Sequence, residues 1–74
     1  MSSLVPVTVT ILDKEYQVSC NEEEKKGLLS SAAYVDGKMR EIKSSGNTLG
    51  TDRIAILSAL TIAHELLSLS KVEE

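Results

Sequence analysis

No disulfide can form within this chain of 74 residues, because Cys20 is its only cysteine. A lone thiol and an N-terminus unlike a signal peptide point to a reducing compartment. Histidine is equally scarce: His64 stands alone, which argues against a structural metal. Aromatic residues are limited to Tyr16 and Tyr34, with no Phe or Trp. The core must therefore come from Leu, Ile, Val, Ala and Met, side chains that interdigitate readily between helices. Basic residues give no excess either. Eight of them against eleven acidic residues leave a net charge of −3, where a nucleic-acid binder is expected to show a basic footprint. Finally, no stretch reaches the roughly 20 mostly apolar residues of a membrane span. The longest apolar run, Ile54 to Leu69, contains Ser58, Thr61, His64, Glu65 and Ser68, and it predicts a buried helix of a soluble protein.

These absences leave one route to stability. A domain of this size buries only about 60% of the surface its unfolded chain exposes. Lacking a disulfide or a metal, it needs a partner chain.

Met1 to Pro6 read as a loose leader. From Val7 the pattern alternates, with Val7, Val9 and Ile11 on one face and Thr8, Thr10 and Leu12 on the other, a strand signal. Asp13-Lys14 offers a turn, though a tight primed turn prefers Gly at a central position. Glu15 to Cys20 then places Tyr16, Val18 and Cys20 on one side. The reading is a β-hairpin over about 7–19.

Asn21 followed by Glu24 resembles a capping box, and Glu22, Glu23 and Glu24 suit the positive end of a helix dipole. Leu28, Ala32, Val35, Met39 and Ile42 follow at spacings of 4, 3, 4 and 3, one stripe on one helix face. Lys38, Arg40 and Lys43 fall late, as the dipole prefers. Helix one is expected over about 22–43. Gly27 and Gly37 each cost about 1 kcal/mol against Ala, so it depends on packing. A loop over 44–50, with Gly46 and Gly50, leads to Thr51 as N-cap and Asp52 in a first turn. Helix two is expected over about 52–72. Nothing caps it, and the pattern predicts a helix that originally continued toward a coiled coil. The fold class is α+β: an N-terminal β-hairpin and two helices, the second long, in one domain over 1–74.

Helix two is the most informative element. Ile56, Ala59, Leu60, Ala63 and Leu67 form one stripe, while Ile54, Leu57, Ile62, Leu66 and Leu69 lie largely outside it. A helix apolar most of the way round must be covered most of the way round. One hairpin and one helix cannot do that, so the sequence predicts a dimer in which helix two meets its own copy.

Catalytic patterns are not met. His64-Glu65 is followed by Leu66, Leu67 and Ser68, so the second histidine of a zinc-protease helix is missing. Nothing in the sequence pairs Cys20 with His64 as nucleophile and base. Gly46 to Thr51 contains no lysine for a phosphate loop, and no carboxylate pair looks isolated enough from water for acid–base work. The reading is a protein that is not an enzyme and has no cofactor.

Four segments, in order, carry a resemblance. Val7 to Tyr16, closed by Cys20, is similar to the opening of the ZapA family. Lys38-Met39-Arg40-Glu41-Ile42 resembles the family's end of helix one, and Thr51-Asp52-Arg53-Ile54-Ala55 its start of helix two. Ala59-Leu60-Thr61-Ile62-Ala63-His64-Glu65-Leu66 is similar to its Ala-Leu-Asn-Ile-x-x-Glu-Leu signature. Thr61 replaces Asn of many relatives, Asp13 replaces a turn Gly, and the family's long C-terminal coiled coil is missing.

The resemblance implies a non-catalytic cell division adaptor, cytoplasmic and at the division site. It would bind FtsZ and promote bundling of FtsZ filaments in the Z-ring, as a homodimer that becomes a tetramer through the coiled coil. It also implies FtsZ contacts at Lys14, Asp52 and Arg53, with Leu57 as an apolar neighbour. The dimer interface expected from the helix-two stripe is Ile56, Ala59, Leu60, Ala63 and Leu67. Two alternatives stay open on the residues alone. One is a dimerisation module for another partner. The other is a ribbon-type DNA-binding dimer, which should carry basic or amide side chains on the outer strand face; Thr8, Thr10 and Leu12 stand there.

Overall fold

The computed structural model describes residues 3–45 and 50–70. Two antiparallel strands, β1 (Leu4–Ile11) and β2 (Lys14–Asn21), form a hairpin. A 3₁₀ turn (Glu22–Glu24) leads into helix α1 (Lys25–Ser44), and helix α2 (Thr51–Ser70) follows. The fold is α+β with a long second helix. The expected residues 71 and 72 of that helix, its continuation, and Gly46 of the loop lie outside the described residues. The chain divides within α1 into a hairpin unit, 1–37, and a helical unit, 38–74.

In the hairpin unit, Val7 and Val9 of β1 and Ala32 of α1 are buried together, with Val5, Ile11, Cys20 and Leu28 packed against them. The alternation of β1 supplies this: every second residue faces α1, and Thr8 and Thr10 face water. Leu28, Ala32 and Val35 of the α1 stripe are all buried or half-buried here. Cys20 behaves as a small apolar residue at the end of β2.

Two features of the hairpin differ from expectation. The supposed leader is strand from Leu4. In a two-stranded sheet every strand is an edge, so Pro6 forfeits no ladder bond if its nitrogen faces outward. Counting antiparallel alternation back from the closing pair Ile11↔Lys14 places Pro6 at such a non-hydrogen-bonded position, opposite Ser19. The turn is also one residue earlier than Asp13-Lys14. Its central residues are Leu12 and Asp13, with φ of 50° and 67°, the signature of a type I′ turn. A left-handed L-residue costs about 1–2 kcal/mol, so this turn must be held from outside.

The entry to α1 is capped loosely. Glu24 Oε1 accepts the Asn21 backbone N–H at 3.4 Å. The reciprocal approach of Glu24 N–H to Asn21 Oδ1 falls short of full hydrogen-bond geometry. The first turn is correspondingly 3₁₀, a common form at helix starts.

In the helical unit, Met39, Ile54 and Ser58 are the buried positions among the described residues. Lys38 Nζ of α1 meets Glu65 Oε2 of α2 at 2.6 Å. The start of α2 also departs from expectation. Gly50 O accepts the Ile54 N–H at 3.0 Å, so Gly50 occupies the cap and Thr51 is the first helical residue. Gly tolerates the cap's non-helical backbone. A Cβ there would sit 3.0 Å from Asp52 Oδ1, because the Asp52 side chain folds back over it.

The valine pair yields a stability prediction. Val9→Ala should lower stability by about 2 kcal/mol. Thr8→Ala, one residue away on the wet face, should change it by less than about 0.5 kcal/mol. Urea denaturation midpoints of the two variants measure the difference.

Candidate protein-interaction site

Side chains that could engage another protein fall into two sets. The first is charged. Lys14 opens β2, beside the turn, and is exposed. Asp52 and Arg53 are exposed in the first turn of α2, and Leu57 lies one turn after Arg53 on the same face, 37% exposed. Lys14 belongs to the hairpin unit and the other three to the helical unit. Asp52 also has a local role, a carboxylate at the helix N-terminus where the dipole favours it.

The second set is apolar. On α2 the inward line is Ile54, Ser58, Ile62 and Glu65, buried or half-buried at spacings of 4, 4 and 3. Ser58 is 1% exposed and its hydroxyl finds no partner among the described residues. Ile56, Leu60 and Leu67 are 60%, 62% and 67% exposed. Ala59 and Ala63 between them are exposed too, as are Leu66 and Leu69. Scattered apolar side chains on a surface are ordinary, but a continuous row along one helix is the mark of an interaction face. Thr61, at the signature position, donates to the Leu57 carbonyl at 2.9 Å, so its hydroxyl is satisfied inside the helix.

The outer face of the hairpin bears on the nucleic-acid alternative. The register places Leu4, Pro6, Thr8 and Thr10 there with Asn21, Ser19, Gln17 and Glu15. Asn21 and Gln17 are amides of the kind such a dimer should carry, but none of the eight is basic, whereas a strand pair reading DNA needs cations to meet phosphates. Among the described residues no helix is long and apolar enough to cross a membrane.

One polar residue went unread in the sequence. Asp36 of α1 accepts the Leu12 backbone N–H through Oδ1 at 2.7 Å. Its signal was available: Asp36 lies four residues after Ala32 and three before Met39, a carboxylate set into the apolar stripe of the helix. The Lys38–Glu65 pair was also missed, since only the folded chain joins α1 to α2.

A family model described as cell division protein ZapA matches residues 7–74. A cell division protein ZapA of Pseudomonas aeruginosa is 54% identical over 67 residues, covering 90% of this chain and 64% of that protein. The chain thus spans less than two thirds of that relative's length. The Bacillus anthracis counterpart is 32% identical over 68 residues, covering 92% of this chain and 75% of its own. Among solved structures, an unknown conserved bacterial protein from Pseudomonas aeruginosa superposes with a TM-score of 0.82 at 52% identity. It covers 89% of this chain and 72% of that one. A ZapA mutant dimer from Geobacillus stearothermophilus gives 0.73 at 30% identity, covering 96% and 81%.

If the charged set serves recognition, its reversal should spare the fold. Lys14→Glu and Arg53→Glu should each stay within about 0.5 kcal/mol of the native stability in urea. Asp52→Lys should lose about 0.5–1 kcal/mol, the dipole contribution of its first turn.

Proposed function

The chain belongs to the cell division protein ZapA family, and on that premise we propose that it is a non-enzymatic adaptor that binds FtsZ and draws its filaments together in the Z-ring. Its place would be the cytoplasm at the division site. The observation that carries the reading is the open apolar row on α2, from Ile56 through Leu60 to Leu67. A face of that kind is an assembly surface, and a second copy of the same helix fits it with two-fold symmetry.

Self-association gives the adaptor two partner surfaces. Ala59 and Ala63, small residues between larger ones, let two α2 helices approach closely while Ile56, Leu60 and Leu67 interdigitate. Each protomer then offers Lys14, Asp52, Arg53 and Leu57 to FtsZ. Exposed charges of both signs steer encounter and set orientation more than they add affinity. Two such surfaces in one assembly convert the second contact into an intramolecular event, so each can remain weak and reversible. Full bundling rests on the family's longer coiled-coil seam, which joins dimers into a tetramer with heads at both ends.

Two measurements test this. Ala63→Asp would place a carboxylate in the dimer seam, at a cost of about 3–5 kcal/mol if the site is dry. Sedimentation equilibrium at micromolar concentration should show a dimer for the native chain and a monomer for the variant. A stably folded native monomer overturns the self-association. Cosedimentation with polymerised FtsZ should show weakened binding for Asp52→Lys with the dimer mass unchanged. Undiminished binding removes Asp52 from the partner surface.

A further inference from the structure

The hairpin turn places a leucine in a conformation that leucine disfavours. Leu12 and Asp13 both hold positive φ, at 50° and 67°, without a glycine at either position. In a two-residue turn closed by Ile11↔Lys14, the Leu12 N–H points away from the ladder and has no strand partner. Such a group must be satisfied elsewhere. The Asp36 carboxylate supplies the acceptor at 2.7 Å, from 24 residues further along the chain. A bond to an ionised acceptor is among the stronger kind.

The helix is the right length to deliver it. From Asn21 back to Lys14, β2 spans about 23 Å at 3.3 Å per residue. From Asn21 forward to Asp36, helical rise covers about 22 Å. An α1 that packs Leu28 and Ala32 on the sheet therefore brings Asp36 level with the turn.

We propose that Asp36 is a positioning residue for partner binding: it holds the Leu12–Asp13 turn in its left-handed form and so fixes Lys14 at the start of β2. The proposal rests on the reading that Lys14 touches FtsZ, where its ammonium would meet an acidic group of the filament. Lys14 directly follows the strained pair. If the turn slips by one residue, to the Asp13-Lys14 turn that local chemistry offers, Lys14 leaves the strand and faces elsewhere. Asp36 adds to the burial of Val7 and Val9 in favouring the first of these forms.

The test is cosedimentation of the chain with polymerised FtsZ, with dimer mass, circular dichroism and hydrogen exchange at the Leu12 amide recorded for every variant. Asp36→Ala should speed exchange at Leu12 and weaken binding roughly three- to tenfold, as the competent turn becomes a minority form. Asp36→Asn keeps an acceptor oxygen and should stay within about twofold. Replacing Leu12-Asp13 by Asn-Gly creates a turn that adopts the type I′ form unaided. In that background Asp36→Ala should cost less than about twofold, since the carboxylate is no longer needed. Equal losses in both backgrounds overturn the proposal, as does native affinity in Asp36→Ala while Lys14→Glu binds weakly. Unchanged binding by Lys14→Glu overturns the underlying assignment of Lys14 and the proposal with it. Should Asp36→Ala alone fail to fold, the Asn-Gly background decides: recovery of both fold and binding supports the proposal, and recovery of fold without binding overturns it.

Discussion

The seating of Ala32 against Val7 and Val9 is the contact on which the hairpin unit depends. A chain without Phe or Trp has no large side chain to fill a gap between helix and sheet. It closes the gap by letting the helix come near, and alanine at the centre of the α1 face permits that. The helix then covers β1 better than β2. Val7 and Val9 are each 4% exposed, while their cross-strand partners Val18 and Tyr16 are 38% and 45% exposed. One face of a two-stranded sheet is thus only half covered, which limits how much stability the unit can draw from burial.

That contact also settles a conflict between local and tertiary preference. Left to itself, the segment around Leu12 and Asp13 favours a turn that avoids positive φ at a leucine. The packing of Val5, Val7, Val9 and Ile11 fixes which face of β1 is inward, and a one-residue slip would turn that face to water. The turn therefore falls where the valines place it, and Asp36 meets the strained backbone there. Local strain of this kind persists only where the surrounding structure over-determines it.

The helical unit is arranged differently. The Lys38–Glu65 pair, part-exposed at 2.6 Å, is worth on the order of 1 kcal/mol or less, so it orients two helices more than it stabilises them. Apolar surface is in surplus: α2 directs Ile54, Ser58 and Ile62 inward and leaves Ile56, Leu60 and Leu67 open. A marginal core and a surplus of apolar surface are two aspects of one constraint. Among the described residues, α2 carries more apolar surface than the helical unit covers.

Much of this was legible in the residues. The period-two run of β1, the 4-3-4-3 stripe of α1 and the apolar girdle of α2 each state which faces need cover, because side-chain spacing follows directly from backbone geometry. The ZapA resemblance lay instead in the residue identities of four segments, which spacing alone does not supply. Other features were not legible. Met1 to Pro6 read as a leader, yet a proline is harmless at an outward-facing edge position, and only the register says that Pro6 occupies one. The turn at Leu12–Asp13 contradicts its own residue preferences, so no local rule finds it. Gly50 replaced Thr51 as the cap of α2 by a single carbonyl bond. Asp36 went unread, because only the matched lengths of strand and helix bring it to the turn. The sequence by itself determined the elements and the faces that must be buried, since these depend on neighbours within a few residues. Register, turn and the reach of Asp36 depend on atoms distant in the chain, and only the tertiary structure decided them.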